Sequence, residues 1–344
     1  MIPTFNIGSG EGLTASLQLQ NTTRFSTEDI YVFDITANSS VFIVSGSNHE
    51  IKLYDRNSLR VDCVLSFHWD TITKVKAHKE NFLLSSSKDA SVALWDLRSP
   101  GGPVQVFRAS RTEPLLAFDF NSSETILAAA TELVHNDAKI IFWDTRQNNS
   151  IAGQFAESHN DDITQLHFHP SIPSKMLSGS TDGLICNYDI TNFDEDEALV
   201  GVINSGSSVH KAGYFGPQAD YVYCLTHIET FSIWSEKETS LLCNFGDLRQ
   251  LSALNNNTVL DYAIDCYYDQ PNQRLFVLGG SNSGDISIIH VSVNQLDICQ
   301  NLRGGHTEVV RGVFWDPRAN LMLSGGEDSN LSYWSAPINN CRRR

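Results

Sequence analysis

Residues 82–96 read FLLSSSKDASVALWD, and the spacing of three side chains in this stretch recurs twice more in the chain. Ser85 stands 4 residues before Asp89, and Asp89 stands 6 before Trp95. Residues 175–189 (KMLSGSTDGLICNYD) repeat the frame with Ser178, Asp182 and Tyr188, and residues 321–334 (LMLSGGEDSNLSYW) with Ser324, Asp328 and Trp334. A histidine precedes each aromatic by nearly the same distance: His68 by 27 residues, His159 by 29 and His306 by 28. A unit that returns at a fixed period marks a repeat architecture, in which each unit buries its faces against its neighbours.

Four weaker copies fill the gaps, with the aromatic-turn position at Tyr54-Asp55, Trp143-Asp144, Trp234-Ser235 and Ile289-His290. Seven marks then follow one another at intervals of 41, 48, 45, 46, 55 and 45 residues. Each unit shows alternating β-branched and aromatic runs broken by turn residues, such as SVFIVSGSNHEIKLYD, and nothing reads as a long amphipathic helix. The frame resembles the WD40 repeat. That resemblance covers almost the whole chain and implies an all-β fold, a seven-bladed WD40 β-propeller, occupying residues 1–338 as one domain with a short basic tail at 339–344. Only ten residues follow Trp334, and they contain Pro337 and three arginines, too poor a strand to complete the last blade. The alternating segment LTASLQLQ at about residues 13–20 is expected to supply the missing strand and close the ring, removing open sheet edges. The longest interval reflects an insertion at residues 246–257 (GDLRQLSALNNN), expected to form a short helix or a binding loop.

His68, Ser85, Asp89 and Trp95 include the residue types of a hydrolytic triad, as do the sets His159, Ser178, Asp182, Tyr188 and His306, Ser324, Asp328, Trp334. Three copies of one constellation suit a repeated structural device better than an active site, because a triad is defined by geometry and roles rather than by composition. The WD40 resemblance implies that each set forms a structural tetrad of hydrogen bonds within its blade. Buried polar groups must pair, and a closed network fixes strand register. At Tyr188 a hydroxyl replaces the indole N–H, which predicts a weaker tetrad.

The pair His167 and His169, with His159 nearby, lacks a third ligand at suitable spacing and is read as structural, so no metal site is assigned. There is no phosphate-binding Gly-rich loop and no nucleophile elbow, so no catalytic residue or cofactor is assigned. An enzyme with a channel-facing site remains the remote alternative. The seven cysteines are scattered and odd in number, the start MIPTFNIGSGEG has no signal-peptide pattern, and no apolar run approaches 18 residues. These features point to an intracellular protein of nucleus or cytoplasm without a membrane span.

A net charge of −16 opposes an electrostatic grip on nucleic acid and favours basic protein partners. Between residues 157 and 197 there are nine acids and one base, Lys175. Asp161, Asp162 and Asp182 are placed near one rim of the propeller and Asp194, Glu195, Asp196 and Glu197 in a loop on the opposite rim, where they are candidate contacts for a basic partner. Residues 83–98, LLSSSKDASVALWDLR, resemble the DWD box of propellers that dock on the cullin-4 ubiquitin ligase adaptor, and Trp143-Asp144-Thr145-Arg146 repeats its end. That resemblance implies adaptor contacts by Arg98 and Arg146, against a simpler reading of local ion pairing.

Within the superfamily, STDGLICNYDIT (180–191), YCLTHIETFSIWS (223–235) and SGGEDSNLSYW (324–334) resemble the WD repeat-containing protein 89 family. The resemblance implies a non-enzymatic scaffold for protein–protein interaction, a monomeric propeller within a larger complex. Through plant relatives it points to ribosome biogenesis. It also implies a longer basic tail than Arg342-Arg343-Arg344.

Overall fold

Apolar runs of five to eight residues, separated by turn residues, can bury both faces only as strands inside stacked sheets. The computed structural model describes residues 16–337 apart from 100, 148–149, 255–257 and 294. These residues form seven four-stranded antiparallel sheets. Blades 1 to 6 are continuous in sequence, at residues 32–66, 72–108, 115–155, 163–204, 209–247 and 262–302, each with its strands in chain order from the first (inner) to the fourth (outer). Blade 7 takes three strands from Val310–Asp316, Leu321–Gly326 and Asn330–Ser335, and its outer strand from Gln18–Arg24. The fold is the expected seven-bladed propeller, closed by an N-terminal strand.

The closing strand lies further along the chain than alternation indicated. Gln18 pairs with Ser335 and Arg24 with Asn330, whereas residues 13–15 fall outside the described residues. The reason is exposure: residues 18–24 are almost entirely solvent-facing, so backbone pairing rather than an apolar stripe sets the position of the strand. Leu17 is buried, and its N–H and C=O are both held by the Gln300 side chain, at 2.9 and 2.5 Å.

Seven hydrophobic clusters lie one at each junction between neighbouring blades. Ile43, Ile51 and Leu53 of blade 1 meet Val75, Leu83 and Trp95 of blade 2, for example. No blade owns a core, so stability is a sum over junctions, and closure adds the one junction, with its two faces, that an open array would lack.

Every inner strand carries a register shift at the same place, with Phe33, Thr73, Leu116, Thr164, His210, Ile264 and Arg311 as the skipped residues. A bulge leaves one residue unpaired and re-aims it, and all seven of these residues line the mouth of the central channel. The same bulges align the blades and correct one sequence mark. Blade 6 places Val291, opposite Leu275, where blade 2 has Trp95 opposite Leu83, so Val291-Ser292 holds the aromatic-turn position rather than Ile289-His290. A slip of two residues keeps side chains on the same face, so the apolar pattern did not reveal it.

The 246–257 insertion forms a 3-10 turn, Leu248–Gln250, running into the one-turn helix Leu251–Leu254. Asp247 caps the turn by accepting the Arg249 N–H, and Leu248 is buried against blades 5 and 6.

Candidate functional site

In blade 2, His68 Nδ1 lies 2.8 Å from Asp89 Oδ2 and its Nε2 2.8 Å from Ser85 Oγ, and Trp95 Nε1–H donates to the same Oγ at 2.9 Å. Blade 7 repeats this with His306, Asp328, Ser324 and Trp334 at 3.1, 2.8 and 2.8 Å. In blade 4, His159 reaches Asp182 at 3.0 Å and Ser178 at 2.6 Å, but Ser178 and the Tyr188 hydroxyl are 3.4 Å apart. The sequence-predicted residues therefore come together in all three blades, with the long contact where tyrosine replaces tryptophan.

Hydrogen direction follows from the donors. An indole N–H can only donate, so Ser85 and Ser324 accept it and turn their own hydrogens to histidine Nε2. A tyrosine hydroxyl can accept, which frees Ser178 to donate to it and to receive a hydrogen from His159. Burial alone would lower the His159 pKa, but its bond to Asp182 prevails and lifts it to about 9. Asp89, Asp182 and Asp328 are pushed upward by burial, yet histidine and backbone N–H bonds carry all three below the ordinary value of 3.8. All three serines are fully buried, out of reach of a substrate, so these sets are network members in the interior of the blade.

The remaining blades show what the network supplies. The position of Ser85 is taken by Val44 in blade 1, Ala129 in blade 3, Cys224 in blade 5 and Val277 in blade 6. Tyr54 Oη and Trp143 Nε1 are consequently buried without a hydrogen-bond partner. In blade 5 the Trp234 indole donates instead to Ser232, two residues away, at 2.9 Å.

Because strands alternate, the connections into each inner strand and the turns between second and third strands share one face of the ring, here called the entry face. Arg98 and Arg146 follow third strands and lie on the other, the exit face. Each guanidinium makes a two-point pair with the aspartate two residues earlier: Arg98 with Asp96 at 2.9 and 2.6 Å, Arg146 with Asp144 at 2.9 and 2.7 Å. Both side chains stay 63% and 68% exposed. The paired arginine draws the Asp96 and Asp144 carboxyls down to about 2.

The acidic run 194–197 lies in the connection between the third and fourth strands of blade 4, and it is tied down by contacts with blade 3. Phe193 packs on Gly153 and against the Phe142 ring at 5.2 Å, which pulls the segment into the groove between blades 3 and 4. There Glu195 accepts the N–H groups of Ala156, Glu157 and Ser158 at 2.6, 2.9 and 2.8 Å, satisfying backbone donors that have left the ladder. Asp194 caps the one-turn helix Glu195–Ala198 and Glu197 accepts from Asn192, which leaves Asp196 the most open of the four.

His169 uses both ring nitrogens on backbone, donating to Gln218 O at 3.1 Å and accepting from Ser171 and Ile172. His167 instead faces the channel, where burial and the charge of Lys74 lower its pKa to about 3. Among the described residues no group of three His, Cys, Asp or Glu side chains converges as metal ligands, and Cys63, Cys186, Cys224 and Cys266 are free thiols. No helix of the described residues is long and apolar enough to cross a membrane.

Sequence reasoning missed the entry-face apolar groups. Tyr31, Trp69, Leu133, Ile228 and Val259 are exposed there, and Trp69 most, at 66%. Trp69 lies in the connection before the inner strand Ile72–His78, outside any strand, so no periodic pattern marked it.

Seven closed blades, three of them holding a polar network of His, Asp, Ser and an aromatic, define a propeller of the WD40 class. The family model for the WD domain, G-beta repeat, matches residues 297–335. WD repeat-containing protein 89 homolog of Dictyostelium discoideum is 32% identical over 307 residues, spanning 89% of this chain and 82% of the relative. WD repeat-containing protein GTS1 of Arabidopsis thaliana is 31% identical over 345 residues, 94% of this chain and 84% of the relative. An uncharacterized WD repeat-containing protein of Saccharomyces cerevisiae is 29% identical over 304 residues, 84% and 74% respectively. The chain belongs to the WD40-repeat family, in the group of WD repeat-containing protein 89. That family builds scaffolds for protein–protein interaction and is generally non-enzymatic.

Proposed function

We propose that this propeller is a scaffold that holds Lys/Arg-rich segments of nuclear or ribosomal proteins on its entry face, with Trp69 as the anchor. The observation that supports this is how charge is spent on that face. Lys88, Lys139 and Arg311 are already ion-paired with Glu132, Glu113 and Glu327. Glu28, Asp70, Asp137, Glu157, Asp161 and Glu308 have no ion-pair partner among the described residues. Unpaired carboxylates beside exposed aromatic and aliphatic groups suit a partner with cationic and apolar side chains, since aromatic anchors dominate binding energy while charge sets on-rate and orientation. The test is capture of partners by the full chain, compared with Trp69→Ala and with Asp137→Asn/Glu157→Gln/Glu308→Gln. Basic proteins should be recovered by the wild type and lost from both variants. Equal recovery by all three would sink the assignment to this face.

A second reading, docking to the cullin-4 adaptor, draws on the two identical Asp–Arg pairs of neighbouring blades 2 and 3, which present exposed guanidiniums side by side on the exit face. Adaptor recovered by wild type and lost from Arg98→Ala/Arg146→Ala supports it; recovery by both, or by neither, rejects that docking mode.

A further inference from the structure

Below the ring of bulged residues, the next residue of each inner strand forms a second layer of the channel. It consists of Asp34, Lys74, Ala117, Gln165, Lys211, Asp265 and Gly312. Six of the seven line one cavity of about 340 Å³, which Arg311 also borders. Three cations and two carboxylates thus face a single enclosed space in a chain whose net charge is −16.

The carboxylates are largely spent on backbone. Asp34 accepts Ile35 N–H at 2.9 Å and Val75 N–H of the next blade at 2.8 Å, and burial raises its pKa. Asp265 accepts Cys266 N–H at 2.7 Å and forms an ion pair with Lys211 at 3.8 Å, which raises the Lys211 pKa and leaves Lys211 charged at the cavity wall. Deeper in the channel, Asp119 binds Lys76 and accepts Phe168 N–H of the next blade at 2.8 Å. Lys74 is left over. Among the described residues its ammonium has no hydrogen bond or ion pair; it lies over the face of the Phe118 ring, 5.9 Å from the centroid, with Asp119 and Asp34 acting on it only through space. Burial accordingly lowers its pKa, the signature of a charge short of compensation.

Lys74 is half-buried at the cavity wall, and an anion in the cavity would complete an ammonium that has no acceptor of its own. We propose that the central channel binds a small soluble phosphate compound, of pyrophosphate size or larger, held between Lys74 and Lys211 with Arg311 at the mouth. Each donor comes from a different blade, so the anion would tie blades 2, 5 and 7 across the ring. The site does not depend on the entry-face reading, because Lys74 and Lys211 lie on the inner strands rather than on the loops, and Arg311, already paired with Glu327, only borders it.

The experiment is calorimetric titration of the full chain with inorganic pyrophosphate. The channel variants are Lys74→Met and Lys211→Met, and Lys237→Met, on the exposed surface, is the control. Wild type and Lys237→Met should bind saturably, and each channel variant should bind at least about tenfold more weakly, as expected for loss of a charge-assisted hydrogen bond. Absence of binding at millimolar pyrophosphate, or equal affinity in all four proteins, overturns the proposal. If a channel variant fails to fold, amine-reactive labelling of wild type decides: pyrophosphate should protect Lys74 and Lys211 but not Lys237, and uniform labelling overturns the site. A phosphoserine peptide that binds where pyrophosphate does not would assign the pocket to protein-borne phosphate and overturn the soluble ligand.

Discussion

The hydroxyl of Ser85 serves two partners at once, the Trp95 indole and the His68 ring, and both are shut off from water. Ser85→Ala should therefore cost about 2–3 kcal/mol in denaturant unfolding, since it strands two buried groups. Blade 3 offers the converse experiment: Ala129 occupies the serine position opposite an indole that has no partner. Ala129→Ser should raise stability by about 0.5–1.5 kcal/mol by supplying the acceptor. The networks also set two pH windows. The depressed pKa values of Asp89, Asp182 and Asp328 contribute stability that is present above 3.8 and lost as pH falls further, so the acid limb of unfolding should flatten in Asp328→Asn. His159 has the opposite sign. Its folded pKa of about 9 exceeds the ordinary 6.5, so its contribution is full below 6.5 and lost as pH rises to 9. Urea midpoints at pH 6 and 9 should differ less in Asp182→Asn than in wild type.

At the scale of elements, the strand Gln18–Arg24 is the piece that turns an array of blades into a ring. It buries little of its own surface, so its value lies in its backbone bonds to Asn330–Ser335 and in covering that edge. Removing residues 1–24 should cost roughly 3–6 kcal/mol, at about 1 kcal/mol per backbone hydrogen bond. The measurement is thermal unfolding with size-exclusion chromatography, which should also show association through the uncovered edge. A truncated chain as stable and as monodisperse as the full one would mean that the ring closes by other contacts. The segment carrying Glu195 acts similarly at the junction of blades 3 and 4, where a run that reads as surface charge places one carboxylate on three backbone N–H groups.

For the molecule as a whole, the excess of acids over bases acts as a field as well as a set of contacts. Association with a basic partner should be steered, so its on-rate should fall by about tenfold or more between low and high salt while its off-rate changes much less. Trp69→Ala should show the reverse pattern, a faster off-rate with little change in on-rate, because a local apolar anchor acts after encounter. Stopped-flow binding at several ionic strengths separates the two.

The chain by itself determined the repeat, the number of blades and the members of the three tetrads. Those rest on spacing, and spacing survives wherever the buried network needs its polar groups at fixed places on paired strands. An alternating segment near the N-terminus also pointed to the strand that completes the last blade. What it misjudged had a common cause. The outer strand at 18–24, the two-residue slip to Val291 and the inward turn of Glu195 are all fixed by backbone pairing and neighbouring blades, which leave no periodic mark. The channel was hidden for the same reason. Lys74 and Lys211 are separated by more than a hundred residues and meet only because seven bulges aim seven inner strands at one axis.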